Sequence, residues 1–122
     1  MHTAPHGGIL IELGDHAYNL ELVRDAAAGK LTAYILDGHA ENFIRIAAAG
    51  FEMVAITGGE RRPLSLKAVA NSATGETVGN TSQFEVQADW LKSAGDFPGT
   101  IESIEIRGTK FNGVAVYLKR TK

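Results

Sequence analysis

Glycine and turn-forming residues interrupt this 122-residue chain so often that no apolar segment is long enough for a helix of ordinary length. The pieces between interruptions are short, apolar and rich in β-branched residues, which is the pattern of strands joined by tight turns. Nine such runs follow one another: residues 8–13 (GILIEL), 17–23 (AYNLELV), 30–37 (KLTAYILD), 42–47, 51–57, 63–70, 82–88, 100–107 and 113–119. At a spacing of roughly 8–12 residues they predict an all-β fold, an antiparallel β-sandwich of about eight to nine short strands. A parallel sheet is excluded, because its strands need crossover helices that this sequence does not offer.

Several runs alternate cleanly. Leu64, Leu66, Ala68 and Ala70 form one apolar face of their run, and Val114, Val116 and Leu118 do so in the last. In 100–107 strict period two breaks near Glu102-Ser103, so that Ile104 and Ile106 share a face while Ile101 falls on the other. Gly14-Asp15 predicts a two-residue type II′ hairpin between the first two runs, and residues 24–29 form the next turn of a three-strand meander. Residues 58–63 and 71–80 are turn clusters. Only 88–94 reads as helical, one short turn with Asp89 as N-cap and Gly95 just past its end. Trp90, Phe84 and Phe97 are expected as core anchors around it. Residues 1–7 read as a flexible N-terminal segment and 8–122 as a single domain.

Composition narrows the function classes. Twelve Lys and Arg against fourteen Asp and Glu give a net charge of −2, which makes no electrostatic case for nucleic acid or an anionic membrane. No apolar run is long enough to span a bilayer. Without cysteine there are neither disulfides nor thiolate metal ligands. The Gly-x-Ser-x-Gly elbow, phosphate loop, HExxH and dinucleotide signatures do not occur, so a non-enzymatic role is expected. Residues 1–5 have neither a basic nor an apolar signal region. Either the chain is cytoplasmic, or an export signal has been removed.

Charge is unevenly placed. All four histidines lie in the first 41 residues with Glu12, Asp15, Glu21, Asp25, Asp37 and Glu41, against only Arg24 and Lys30. The end of the chain is basic, with Arg107, Lys110, Lys119, Arg120 and Lys122 against Glu102 and Glu105. In the meander, the register decides which histidines meet. With Arg24 opposite Lys30, Asp15 faces His39; a slip to Arg24 opposite Leu31 pairs His16 with His39. In the second register His16 and His39, with Asp15, Asp37 or Glu41 near them, form a candidate site for Zn(II), Cu(II) or Ni(II). His6 lies about 20 Å or more from His16 along an extended strand, so it forms a separate candidate ligand, paired with His2. The plainer reading of His16 and His39 is a solvated or backbone-bonded histidine after a turn, and that of Gly7-Gly8 is a backbone requirement.

Pro5-His6-Gly7-Gly8, followed by Gly14-Asp15-His16 and Leu20-Glu21-Leu22-Val23, resembles two groups of proteins. Over about the first 40 residues it is similar to the N-terminal part of periplasmic adaptor (membrane fusion) proteins of heavy-metal efflux pumps. Over most of its length it is similar to small bacterial exported or lipoprotein-like proteins of uncharacterised function, including the stretch from Phe84 to Val116 with Phe97, Gly99, Ile104 and Gly108. The resemblance implies an envelope location, a β-rich domain and a link to metal handling, and it reaches His6, Gly7, Gly8, Asp15 and Glu21. His16 and His39 are not carried by it, and the hairpin and lipoyl-like parts of an adaptor are missing. The expected function is therefore a non-enzymatic envelope domain that binds a divalent transition metal through His and carboxylate groups. The alternative is a structural or protein-interaction module in which a protein partner or second copy pairs with a sheet edge.

Overall fold

A computed structural model describes residues 3–120. Eight strands, β1 (Ile9–Leu13), β2 (Tyr18–Asp25), β3 (Lys30–Asp37), β4 (Gly50–Thr57), β5 (Glu60–Ala68), β6 (Gln83–Gln87), β7 (Phe97–Ile106) and β8 (Thr109–Leu118), form one sheet in the order β1-β2-β3-β6-β5-β4-β7-β8. Every pairing is antiparallel. The sheet curls until its end strands β1 and β8 approach each other, and Tyr18 at the start of β2 meets Phe111 of β8 edge-on at 6.2 Å. The result is a sandwich-like, nearly barrel-shaped all-β fold. Its core is the concave face: Leu20 and Leu22 from β2, Leu31, Ala33 and Ile35 from β3, and their counterparts on the remaining strands.

The phase break at Glu102 is a structural feature shared by β7 and β8. β7 pairs with β4 through Met53↔Ile101 and Glu52↔Ser103, a register shift at Glu102. The alternation of β8 changes phase at the same level, at Gly113, whose φ is +60°. Ile101 therefore joins Ile104 and Ile106 in the core instead of facing the other way, as strict period two predicts.

Four local expectations are corrected. The β1–β2 loop has four residues, with Leu13 paired to Tyr18, because Gly14 and His16 both take positive φ (+67° and +61°). The turn expected over 58–63 shrinks to Gly58-Gly59, both at positive φ, and residues 60–63 continue as strand. Residues 42–47 are not a ninth strand, because they divide their hydrogen bonds between two partners. Ile44 donates to Ile35 of β3 and Ile46 to Thr81, leaving isolated bridges. The helical turn is a 3-10 helix, Asp89–Lys92, with Ala88 at the N-cap position and Asp89 already inside. Leu91 from this turn, Phe84 and Phe97 are buried, and Trp90 packs edge-on against Phe97 at 5.4 Å.

The phase switch can be tested at glycine. A Cβ on Gly113 meets nothing within 4 Å, so Gly113→Ala isolates the cost of its left-handed backbone. It should lower stability to urea by about 1–2 kcal/mol. Gly95→Ala, equally unobstructed and not at positive φ, should be neutral or slightly stabilising.

Candidate functional site

On β2 the core takes Leu20 and Leu22, so Glu21 must point outward; yet its side chain is 0 % exposed. The cover comes from the segment before β1. Glu21 Oε2 accepts the backbone N–H groups of His6 (2.8 Å) and Gly8 (2.9 Å), and Oε1 lies 2.9 Å from His6 Nδ1. Three hydrogen bonds thus converge on a buried carboxylate, as burial of a charge requires. Gly7 makes the turn with φ +73°, and at Gly8 a Cβ would overlap the Leu22 carbonyl. The segment expected as a flexible tail is tied to β2 by these bonds. His2 lies outside the described residues, so its pairing with His6 does too.

Directly opposite Glu21 in the ladder is Tyr34 of β3, and the His6 ring stacks on it at 3.9 Å with an interplanar angle of 11°. Phe43, 46 % exposed, tilts against both rings at 5.7 and 6.1 Å. Burial, together with the carboxylates of Glu21 and Glu85, raises the Tyr34 phenol above its ordinary range. A small cavity of about 160 Å³ opens beside this aromatic corner and reaches Glu76. Burial alone would raise the Glu76 pKa. Hydrogen bonds from Ser82 Oγ (2.6 Å), Thr74 Oγ1 (2.7 Å) and Ser82 N (2.9 Å), with Arg45 at 3.7 Å, outweigh it and keep the carboxylate ionised below the usual range.

The β1–β2 loop gathers the second constellation. His16 Nδ1 is 2.9 Å from Glu12 Oε2, and its Nε2 is 3.9 Å from Asp15 Oδ1. The His16 backbone N–H also donates to Glu12, at 3.0 Å. One ligating atom from each of Glu12, Asp15 and His16 lies within 4.8 Å of the others, and all three residues are exposed. The positive φ of His16 folds the loop back so that residue 16 reaches residue 12.

The β2–β3 register is the one with Arg24 opposite Leu31. The ladder nevertheless stops at Tyr18↔Asp37, short of both histidines, and His39 does not belong to the His16 group. Asp37 instead organises its own loop. Its Oδ1 accepts the N–H groups of Glu41 (2.9 Å) and His39 (3.2 Å), and its Oδ2 accepts from Asn42 Nδ2 (2.8 Å). Gly38 packs on the His16 carbonyl with no room for a Cβ. The five candidate ligands therefore fall in three places: Asp15 with His16, Asp37 with His39, and His6 with Glu21. Glu12, Tyr34 and Phe43 join these groups without having been singled out by sequence. The signal for Glu12 was its i,i+4 spacing to His16; Tyr34 is legible only through the register.

Comparison with known proteins returns no match: no family model, no curated protein and no solved structure matches the chain.

Two measurements check this geometry. Hydrogen bonds led by the Glu41 N–H hold the Asp37 carboxyl at about 2, below its ordinary 3.8. A depressed carboxyl stabilises the fold above its unfolded pKa and loses that contribution as pH falls through its folded one. Acid unfolding of the wild type between pH about 4 and 2 should therefore be steeper than that of Asp37→Ala. For the outer clamp, a double-mutant cycle on stability with Glu21→Gln and His6→Ala should give a coupling of about 1–2 kcal/mol. Additive effects would mean the contact carries no energy.

Proposed function

We propose that this chain is a non-enzymatic binding domain of the cell envelope that takes a divalent transition metal at the β1–β2 loop. His16 supplies the imidazole, and Glu12 and Asp15 supply carboxylate oxygens. The observation that carries this reading is the mutual approach of those three ligating atoms to within 4.8 Å on one short loop. His16 Nδ1 already lies 2.9 Å from Glu12 Oε2, so a cation can take a place between that nitrogen and oxygen, with Asp15 on the same loop as the further ligand. A set of one nitrogen and two oxygens suits Zn(II), Cu(II) or Ni(II), with water completing the coordination. Exposure of the His16 side chain, 75 %, favours an exchangeable ion over a permanently held structural one. The similarity of the N-terminal motif to efflux adaptors and small exported proteins supports the envelope location.

A second reading, a protein-interaction module, draws on the exposed Phe43 beside Tyr34 and His6, an aromatic corner of the kind that partner surfaces use.

Calorimetric titration with Zn(II), Cu(II) and Ni(II) separates the two. One-to-one binding that weakens about tenfold or more in His16→Ala, and is unchanged in His39→Ala, is the expected result. Binding that survives His16→Ala but is lost in His6→Ala would move the ion to the Glu21 clamp. No saturable binding of any of the three ions would leave the interaction module as the function.

A further inference from the structure

At the opposite end of β2 from the histidine loop, two arginines converge. Arg24 is only 6 % exposed, and its guanidinium donates to the carbonyls of Gly95 (2.8 Å), Leu91 (2.9 Å) and Ala94. Arg120, just beyond β8, donates from Nη1 to the carbonyls of Lys92 (2.7 Å) and Ala94 (3.1 Å). Two guanidinium groups thus share the Ala94 carbonyl oxygen at the end of the 3-10 helix. Like charges at that range repel. Burial first, and then the charge of Arg120, push the Arg24 pKa down, against a smaller opposing pull from Asp96.

These side chains line an open groove of about 690 Å³ together with Lys92, Val23 and Asp25. Each nearby carboxylate already has a partner, and for Asp96 and Asp89 that partner belongs to this cluster. Asp96 accepts the Arg120 backbone N–H at 2.7 Å, Asp25 accepts the Ala28 N–H at 3.2 Å, and Asp89 is 3.7 Å from Lys92 Nζ. Among the described residues no carboxylate lies within 4.0 Å of the Arg120 guanidinium, and its Nε and Nη2 make no hydrogen bond. The groove therefore holds three cationic side chains and one aspartate on a chain whose net charge is −2.

We propose that this groove is an oxyanion site for a phosphate dianion, free or as a phosphomonoester. Arg120 and Lys92 contact the anion, and Arg24 stands behind them as a fixed charge. A guanidinium offers paired donors to a tetrahedral oxyanion, and the lysine adds a mobile point charge. The open groove leaves room for an ester substituent, so the monoester is accommodated as well as the free ion.

The test is an NMR titration of the ¹⁵N-labelled chain with inorganic phosphate, and separately with glycerol phosphate, at constant ionic strength set by sodium chloride. Saturable shifts at residues 24–27, 91–96 and 120 are expected, with affinity about tenfold or more weaker in Arg120→Gln and partly restored in Arg120→Lys. Arg120 is exposed, and the dispersion of the variant's own spectrum reports that it is folded. Equal affinity for both anions assigns the monoester as a ligand, and preference for phosphate assigns the free ion. Shifts that chloride reproduces, or that persist unchanged in Arg120→Gln, would overturn the site. General stabilisation by phosphate as an excluded salt has no such dependence on one arginine.

Discussion

A single antiparallel sheet has one apolar face and no second layer to bury it against, so it must close on itself. This chain does so with eight strands, and the closure depends on β7 and β8 bending together at Glu102 and Gly113. The phase switch there turns Ile101 inward alongside Ile104 and Ile106. Without it, one of these groups would face solvent. Closure brings Phe111 of β8 against Tyr18 of β2 and the β1–β2 loop, where a Cβ on Gly14 would touch the Phe111 ring at 3.0 Å. It also carries Arg120 to the end of the 3-10 helix, where Arg24 already sits. Both proposed sites therefore depend on the same curvature.

The outside of the sheet has its own energetic logic. Glu21 is an ionisable side chain on the solvent face of a strand, and leaving it exposed would cost nothing. Burying it without partners would cost several kcal/mol, on the order of the desolvation of a carboxylate. The chain instead brings residues 6–8 over it and satisfies it with two backbone N–H groups and an imidazole. The same fold-back lays the His6 ring on Tyr34. Pro5-His6-Gly7-Gly8 and Glu21, which the motif places apart in sequence, are thus halves of one contact. Gly8 permits the approach, and Gly7 turns the chain into it.

Much of the fold was legible because its information is local. Short apolar runs between turn residues located all eight strands, and the break at Glu102 marked the phase switch, though not which way Ile101 would turn. The ninth run misled because 42–47 has strand composition but finds two partners, a matter of tertiary placement. The site residues were harder to read. Asp15 and His16 follow from the loop, whereas their separation from His39 depends on where the ladder stops. Glu21 looks like any polar residue in an alternating strand, and only the distant residues 6–8 bury it. Asp37 reads as an ordinary turn aspartate, and its low pKa arises from hydrogen bonds that its own loop supplies.

The uneven charge of the sequence becomes a polarity of the fold. β2 begins next to the Glu12–Asp15–His16 loop and carries Arg24 next to its last residue, so the acidic and basic constellations sit at opposite ends of one strand. From Tyr18 to Arg24 alone the backbone rises about 20 Å, more than twice the screening length of about 8 Å at physiological ionic strength. A cation at one end and an oxyanion at the other would therefore bind without appreciable coupling through solvent. Residual coupling would have to pass through the rigid β2–β3 ladder or the curl of the sheet, and neither constellation shares a side chain with the other. The two sites are thus separable by substitution, so loss of one leaves the other as an internal control on the integrity of the fold.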